Sequence, residues 1–412
     1  MAVIRPFRPF RYTEDAGPLS ELLAPPYDVI SPAEREALAA RQEAGAIHVI
    51  LSRGEEKYST AADLLADWKA RGLIAREETG AMFLSCQGFS AGGADYQRWG
   101  LLTTLRLEKF EDNIVLPHER TLTGPKEDRL RLIRACRTNL SPIFGFVDAA
   151  LGLEYLADGA SAIADFVDDK GVRQRIWKIV DPEVLGELEK KIAPEQVFIA
   201  DGHHRYETAL GYRDERRAES PSDTPQDFDF VLCHLCSTRD PGLAVLPTHR
   251  IPRTSPDLET FLTRCDELCS ITEMADGQAL WQALASPPEG ERRPRLGALL
   301  PDGRALLLEP GAGAKEELAK IEPELAVLDV TFLHNILMSE IPNDQFIYTH
   351  DETETIEAVT SGEAGLAILL PPPSVEDVLS ISRAALTMPQ KSTYFYPKVP
   401  SGIAYNPIDA EK

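Results

Sequence analysis

The sequence predicts a mixed α/β fold, and three observations indicate it. Short apolar runs typical of buried strands, such as Val197–Ala200, alternate with segments that carry apolar residues at helical spacing, such as Tyr58–Gly72. At Asp201-Gly202 the pattern changes directly from strand to helix. The chain has 412 residues, 43% of them hydrophobic, which is enough for more than one core. We therefore predict a mixed α/β domain at 1–250 and a smaller α/β domain at 251–412, whose C-terminal segment returns to the functional site.

The elements follow from local patterns along the chain. Ser31-Pro32-Ala33-Glu34 is a capping box that starts a helix. Gly72 ends a second, amphipathic helix that begins at Tyr58. A glycine-rich stretch at 90–94 predicts a hairpin, and Pro287–Pro294 predicts a linker or long turn. The predicted helices are 34–41, 58–72, 128–138, 181 onwards, 203 onwards, 257–268, 276–285, 315–322 and 331–337. The predicted strands are 48–52, 81–87, 97–107, 143–147, 175–180, 197–200, 228–237, 295–308 and 366–370.

Five polar residues occupy the predicted turn between strand and helix, Asp201-Gly202-His203-His204-Arg205, which we call the motif turn. Asp201 can cap the helix, and Gly202 lets the backbone approach a ligand. The free N–H groups of a helix start, together with Arg205, favour an anion such as phosphate. The alternative is an ordinary surface turn in which the histidines are only polar.

A second polar cluster lies at 117–129, where the sequence predicts a proline-bounded loop and the start of a helix. Glu119 beside His118 could supply a general base, and Lys126 and Arg129 could neutralise phosphoryl oxygens. A salt-bridged surface loop is the alternative. We expect the loops at 24–30, 117–129 and 201–205 to converge on one site.

Composition limits the function classes. The net charge is −23 and no long basic run is present, which argues against a nucleic-acid partner. No run approaches the roughly 18 apolar residues of a membrane span. Six cysteines in so long a chain fit a reducing, cytoplasmic location. Cys233 and Cys236 would point to opposite faces of a strand, so we expect free thiols rather than zinc at this pair and at Cys265 and Cys269.

Several separated blocks make the chain resemble the family called domain of unknown function 1015 (DUF1015). The motif turn is also similar to the Asp-Gly-x-His-Arg turn of the ParB and sulfiredoxin-like superfamily, which includes free-serine kinases. This second resemblance implies a ParB/sulfiredoxin-like core with an additional α/β C-terminal region. The blocks that resemble DUF1015 are Ala24–Ile30, Pro117–Glu119, Asn139–Phe144, Ile199–Ala209, Pro247–Arg250 and Met388–Lys398.

The resemblance to the ParB-like free-serine kinases implies a phosphotransferase that uses Mg²⁺ and ATP or ADP and acts on a small hydroxylated metabolite, with L-serine the best single candidate. A phosphatase of a small metabolite such as phosphoserine, and a non-catalytic ParB-like nucleotide-binding regulator, are the alternatives. No Walker-type loop is present in the sequence, so a nucleotide would have to bind at the motif turn.

The candidate residues fall into four groups. They are Glu119, Asp201 and His204 for catalysis; Gly202, His203, Arg205, Lys126 and Arg129 for phosphate or nucleotide; Tyr27, Asp28, His118, Asn139, His249, Arg250 and Lys391 for substrate; and Asp201 for Mg²⁺.

Overall fold

The computed structural model describes residues 1–121, 123–286 and 293–409. Most of the predicted linker at Pro287–Pro294 therefore lies outside the described residues. The chain forms two compact units. Unit 1 comprises Met1–Pro117, Thr121–Ala244 and Pro397–Lys412, and unit 2 comprises His118–Arg120 and Val245–Tyr396. Both units contain helices and sheets, so the predicted mixed α/β class is confirmed.

The strands are Ile4–Arg5 (β1), Phe10–Tyr12 (β2), Ile74–Arg76 (β3), Met82–Ala91 (β4), Ala94–Arg106 (β5), Val115–Leu116 (β6), Thr138–Asn139 (β7), Ile143–Val147 (β8), Ala164–Val167 (β9), Arg173–Ile179 (β10), Val197–Asp201 (β11), Phe230–Ser237 (β12), Ala244–Leu246 (β13), His249–Pro252 (β14), Cys269–Met274 (β15), Leu296–Leu299 (β16), Ala305–Pro310 (β17), Phe346–Thr349 (β18), Ala367–Leu369 (β19), Tyr394–Tyr396 (β20) and Asn406–Pro407 (β21).

The α-helices are Leu19–Leu22 (α1), Pro32–Ala39 (α2), Ile47–Ile50 (α3), Lys57–Ala70 (α4), Thr123–Cys136 (α5), Pro182–Ile192 (α6), His203–Glu219 (α7), Leu258–Leu268 (α8), Gly277–Ala285 (α9), Ala312–Leu318 (α10), Pro323–Ala326 (α11), Asp329–Thr331 (α12), Glu352–Thr360 (α13) and Val375–Arg383 (α14). A π-helix covers Phe332–Leu337, and single 3₁₀ turns cover Glu14–Ala16, Tyr27–Val29, Phe110–Asp112, Leu153–Ala157, Asp227–Asp229 and Asn343–Gln345. No helix within the described ranges is long and apolar enough to cross a membrane.

Unit 1 is built on a mixed sheet. Among the described residues it has nine strands in the order β6-β11-β8-β12-β5-β4-β10-β9, with β1 beside β5. β11 pairs in parallel with β6 and antiparallel with β8, and its register shifts between Ile199 and Asp201. Such an irregularity re-aims the strand end. The sheet therefore presents Asp201 at the carboxyl end of a strand that is paired on both sides.

The motif helix α7 is fixed to this sheet by burial of one face. Tyr206 and Ala209 pack in the same core as Val197 and Ile199 of β11. The Tyr206 hydroxyl also donates to the carbonyl of Glu108, at 2.7 Å. Because both ends of the motif turn are held by buried elements, the turn has a defined geometry.

Unit 2 contains a separate, antiparallel sheet. In the part of the chain that the structure describes, its order is β15-β17-β16-β19-β14-β18. Its main core joins the sheet residues Leu296, Leu308 and Ile368 to Phe332 and Ile336 of the π-helix. β14 lies inside this sheet, which explains why His249 and Arg250 are both buried.

Three local predictions differ from the structure. The strand predicted at 48–52 is wrong, because Ile47–Ile50 forms a short helix whose apolar residues are all buried. Periodicity cannot separate a short buried helix from a buried strand. Helix α5 begins at Thr123, five residues before the predicted start, with Pro125 in its first turn, where a missing N–H costs little. The helix predicted at 331–337 is helical, but mainly of the π type.

Candidate functional site

The motif turn joins β11 to α7 through a residue in the left-handed conformation. Gly202 has φ of 88° and is the N-cap of α7. A Cβ atom at this position would lie 2.9 Å from the Nε atom of Arg205, so a larger residue would require the guanidinium to shift as well as a strained backbone. The prediction that Asp201 caps the helix is wrong, because no side chain caps α7 and the Asp201 carboxylate binds two cations instead.

Asp201 is held between Arg205 and Lys398. The Arg205 guanidinium donates to Oδ2 at 2.5 Å, and the Lys398 ammonium donates to Oδ1 at 2.6 Å. The three side chains are only 10–15% exposed. Burial by itself would raise the pKa of Asp201, but Lys398 and Arg205 outweigh it and hold this pKa below its ordinary value. Asp201 is therefore a carboxylate at neutral pH.

A buried arginine fixes the segment that carries Lys398. Arg98 is fully buried and donates to the carbonyl of Pro397 and to the side-chain oxygen of Gln87. Gln87 in turn donates to the carbonyl of Lys398, at 3.2 Å. The Arg98 guanidinium also lies 4.6 Å from the ring centre of Phe144. Burial lowers the pKa of Arg98, while Cys236, Asp240 and Asp201 oppose that effect.

Three cationic side chains gather around Asp201. Arg205 and Lys398 share its carboxylate, and Arg98 is a third cation, whose charged form Asp240 and Asp201 favour. Within the described chain, the Nε and Nη1 atoms of Arg98 and the Nε atom of Arg205 are buried without an acceptor. Buried N–H groups that lack an acceptor cost free energy, so an added anion that accepts from these guanidinium nitrogens would stabilise the arrangement.

Arg129 brings a further guanidinium into unit 1. It lies 4.2 Å from the ring centre of Tyr27 and donates to the carbonyl of Ile50 at 2.7 Å and to Asp128. Burial would raise the pKa of Asp128, but hydrogen bonds from Lys57 and Arg129 and the charge of Arg129 lower it to about 2. The Tyr27 ring therefore lies against a cation that these hydrogen bonds hold in place.

A pocket of about 60 Å³, which we call the arginine pocket, joins several predicted residues of unit 1. Its polar lining consists of Tyr27, Arg129, Thr138, Asn139, Ser141, Arg205 and Thr208. Arg205 belongs both to this pocket and to the Asp201 ion pair. The pocket therefore adjoins the motif turn.

The remaining candidates of unit 1 lie near these groups. Lys126 on α5 forms an ion pair with Glu207 on α7, at 2.8 Å. His203 is buried, His204 is partly buried and Asp28 is exposed. The roles predicted for these residues stay predictions.

Five candidates belong to unit 2. His118 Nε2 lies 2.8 Å from the Thr393 hydroxyl, and Glu119 pairs with Met388 through a β-bridge. Arg250 donates to the carbonyl of Lys391, at 2.9 Å, and to that of Thr248. His249 accepts a hydrogen bond from the Leu370 amide at 3.2 Å, and burial lowers its pKa to about 3. The convergence of Glu119 with Asp201 stays a prediction, because Glu119 lies in unit 2.

The cysteine thiols and the Asp201 carboxylate are the side chains that bear on metal binding. The six cysteines are free, and Cys233 and Cys236 are buried in β12. In the described ranges, no group of three or more His, Cys, Asp or Glu side chains is arranged to hold a metal ion. Both Asp201 oxygens already bind cations, so Mg²⁺ at Asp201 would require Arg205 or Lys398 to move. A magnesium ligand at Asp201 therefore stays a prediction that this ion pairing does not favour.

Two residues of this site were missed by sequence reasoning, namely Arg98 and Lys398. A local signal existed for Arg98, since a charged residue in the otherwise strand-like run 97–107 must either face solvent or find buried partners. Lys398 lies in the polar and aromatic segment after Met388, but its partner is 197 positions away in sequence. Spacing alone could not pair it with Asp201.

Comparison with known families decides the classification. The model of the family described as "Protein of unknown function (DUF1015)" matches residues 4–331. This chain belongs to the DUF1015 family. The resemblance seen in the sequence blocks is thereby confirmed. A comparison with curated proteins found no match.

Solved structures that resemble this chain include three of low sequence identity. A conserved hypothetical protein from Pyrococcus furiosus is 13% identical, with a TM-score of 0.37, over 74% of this chain and 94% of that chain. A free serine kinase in complex with AMP is 13% identical, with a TM-score of 0.36, over 71% and 86%. SbnI with a C-terminal truncation, from Staphylococcus aureus, is 10% identical, with a TM-score of 0.37, over 74% and 87%. These comparisons therefore assign the chain to a family and to no narrower group.

Proposed function

We propose that this DUF1015 protein is a nucleotide-dependent phosphotransferase that acts on a small hydroxylated metabolite, with L-serine the best single candidate. The observation that carries the proposal is the group of three cations around Asp201, with guanidinium nitrogens of Arg98 and Arg205 that lack acceptors in the described residues. The chain as a whole has a net charge of −23, so this concentration of positive charge is local. A phosphate group is an anion that fits it.

The geometry suits phosphoryl transfer because that reaction depends mainly on positioning and on electrostatic stabilisation. A phosphoryl group at the turn would meet the first free amides of α7 and the side chains of Arg205 and Lys398. The missing side chain at Gly202 keeps the backbone approachable. Mg²⁺ bound with the nucleotide would supply further neutralisation of phosphoryl charge.

In this proposal Asp201 does not act as a general base. A carboxylate whose pKa is held below its ordinary value binds a proton weakly at neutral pH. We therefore assign Asp201 the orientation of Arg205 and Lys398, which it contacts through separate oxygens. His204, in the first turn of α7, keeps its predicted catalytic role within the proposal.

Ligand binding tests the proposal directly. Thermal unfolding would be followed with ATP, ADP, pyrophosphate, L-serine and O-phosphoserine, each with and without Mg²⁺. A ligand present at 100 times its dissociation constant stabilises the folded state by about 2.7 kcal/mol, which is easily measured. Nucleotide-dependent formation of O-phosphoserine would then be assayed by chromatography. If neither nucleotides nor pyrophosphate raise the melting temperature, the proposal fails.

Arg205→Ala is the sharpest variant, and Arg213→Ala is its matched control. Both arginines lie on α7, are 10% and 14% exposed, and pair with an aspartate and a backbone carbonyl. Loss of a charge-assisted hydrogen bond of about 1.5–3 kcal/mol should weaken pyrophosphate binding about 10- to 100-fold in Arg205→Ala only. Titration calorimetry measures both affinities. Equal weakening in the two variants would contradict a phosphate role for the motif turn.

A phosphatase is the chemical alternative that the same residues allow. It would release inorganic phosphate from O-phosphoserine without any nucleotide. We expect no such release from the wild-type protein, and colorimetric phosphate detection checks this. Nucleotide-independent release would replace the phosphotransferase with a hydrolase at the same site.

A further inference from the structure

The arginine pocket offers hydrogen-bond donors that nothing else uses. The Nε atom of Arg205 is buried and has no acceptor in the described chain. Asn139 Oδ1 accepts from the Leu232 amide at 3.1 Å and from Asn406 at 3.0 Å, which leaves its NH₂ group for the pocket. Tyr27, whose hydroxyl is a further donor, also lines the pocket. Three donors from separate elements thus face one small space.

The remaining lining makes the pocket selective for a group that only accepts hydrogen bonds. It includes the two guanidinium groups of Arg129 and Arg205 and, among the described residues, no Asp or Glu. Burial raises the pKa of Tyr27 to about 12, although Arg129 and Arg205 oppose this, so its hydroxyl stays a donor. A negatively charged oxygen group satisfies such a set of donors better than a neutral or cationic group does.

Size and apolar walls narrow the class of ligand. One water-sized group needs about 10–15 Å³ by this measure, so a volume of about 60 Å³ holds a fragment of several heavy atoms but no nucleobase with its sugar. Five of the lining side chains are aliphatic, namely Ile50, Leu132, Ile133, Leu140 and Val231. They suit a short carbon stem beside the charged group.

We propose that the arginine pocket binds the carboxylate of a small hydroxy acid or amino acid. The inference depends on the proposed phosphotransferase in one respect, because it takes this molecule to be the acceptor of the phosphoryl group. Arg205 then contacts the ligand carboxylate through Nε, while its Nη2 atom keeps its bond to Asp201. Because one guanidinium makes both contacts, it sets the distance between the phosphoryl acceptor and the motif turn. The phosphoryl acceptor is then a short carboxylic acid that carries a hydroxyl a few bonds from its carboxylate.

A ligand series tests the carboxylate. Calorimetry would compare glycolate and L-serine with serinol, which replaces the carboxylate of serine by a hydroxymethyl group. We expect glycolate and L-serine to bind at least tenfold more tightly than serinol. Equal binding of serinol and L-serine would overturn the proposal, because the carboxylate would then contribute nothing.

Asn139→Asp is the matched change in the protein. One carboxylate oxygen can still accept from the Leu232 amide and Asn406, while the other replaces the NH₂ group in the pocket with negative charge. Glycolate and L-serine affinity should fall at least tenfold, and pyrophosphate affinity should stay within threefold. Asn113→Asp places the same charge on the exposed surface of unit 1 and should change none of these affinities. Tyr27→Phe, which removes a single hydroxyl, should weaken carboxylate binding about tenfold if Asn139→Asp does not fold.

The outcomes separate the two proposals. Carboxylate binding that is lost in Asn139→Asp, in a protein that binds neither nucleotide nor pyrophosphate, would support the pocket and refute the phosphotransferase. A parallel loss of pyrophosphate and glycolate affinity in Asn139→Asp would instead make the pocket a phosphate subsite and overturn the carboxylate assignment.

Discussion

Arg205 in unit 1 and Arg250 in unit 2 show two uses of a buried arginine. Arg205 shares the carboxylate of Asp201 with Lys398 and borders a pocket of about 60 Å³. Arg250 instead donates to two backbone carbonyls and lies 5.4 Å from the ring centre of Tyr348. The cavity beside it is about 10 Å³, which is roughly the space for one water. The sequence marks both arginines as candidates, and of these two cavities the one beside Arg205 is the larger.

The charge of Arg250 and the charge of Asp201 have opposite effects on folding. Burial lowers the pKa of Arg250 to about 10, against the effects of Tyr348 and Glu119, so its charge opposes folding. The pKa of Asp201 is lowered because Lys398 and Arg205 outweigh burial, so the Asp201 charge supports folding. The ion pairs of Asp201 therefore contribute stability to unit 1, whereas unit 2 bears the cost of burying Arg250 in return for its hydrogen bonds.

Asp201→Asn should give the largest loss of stability. The variant removes the carboxylate that Arg205 and Lys398 share, and removal of one partner from a buried ion pair typically costs about 3–5 kcal/mol. Asp128→Asn is the control, because Asp128 also binds cations but its side chain is 28% exposed, and it should lose less. Urea denaturation of the three proteins measures this. A smaller loss for Asp201→Asn than for Asp128→Asn would mean that the motif turn is not the more strongly coupled cluster.

The same carboxylate predicts an acid dependence. A group whose folded pKa is depressed stabilises the protein above its unfolded pKa, and this stabilisation is lost as pH falls through the folded value. The ordinary pKa of aspartate is 3.8, so the Asp201 contribution should be complete at pH 6 and decline below about pH 4. The unfolding free energy, measured between pH 6 and pH 2.5, should fall less steeply in Asp201→Asn than in wild type. Identical slopes would show that Asp201 has the same pKa in both states.

Gly202→Ala should give an intermediate effect. Gly202 and Gly54 both have φ of 88°, but a Cβ at Gly202 would meet the Arg205 guanidinium at 2.9 Å, whereas nothing lies within 4 Å at Gly54. Gly54→Ala should cost only the left-handed backbone penalty of about 1–2 kcal/mol. Gly202→Ala should cost more and should also weaken pyrophosphate binding, because the guanidinium must leave Asp201. Equal costs, with unchanged binding, would show that Arg205 can move freely.

Local sequence patterns predicted the elements but not the contacts that complete the site. The strand before Asp201, the helix after it and the hairpin around Gly92 and Gly93 all follow from period and turn chemistry. The Arg205–Asp201 pair is also local, because the partners are four positions apart in sequence. Such features are encoded in neighbouring residues, and neighbouring residues are what a single sequence displays.

The other half of the Asp201 cluster is non-local. The bond from Arg98 to the Pro397 carbonyl spans 299 positions, and a backbone carbonyl has no residue signature. Lys398 reaches Asp201 only because this clamp holds the C-terminal segment in unit 1. The clamp depends on the packing of a whole sheet, so periodicity and motif spacing could not predict it.

Arg250→Met should give the smallest change in stability, and it tests the comparison from the side of unit 2. The variant loses hydrogen bonds to the Thr248 and Lys391 carbonyls, but it also removes a buried charge whose pKa burial has lowered. Replacement of buried ionic groups by apolar side chains of similar volume is often neutral, so we expect a change within about 1 kcal/mol. Urea denaturation measures the change, and calorimetry should find pyrophosphate affinity unaltered. A loss as large as that of Asp201→Asn would show that Arg250 has a counter-charge as strong as the one Asp201 gives Arg205, and the contrast between the two arginines would disappear.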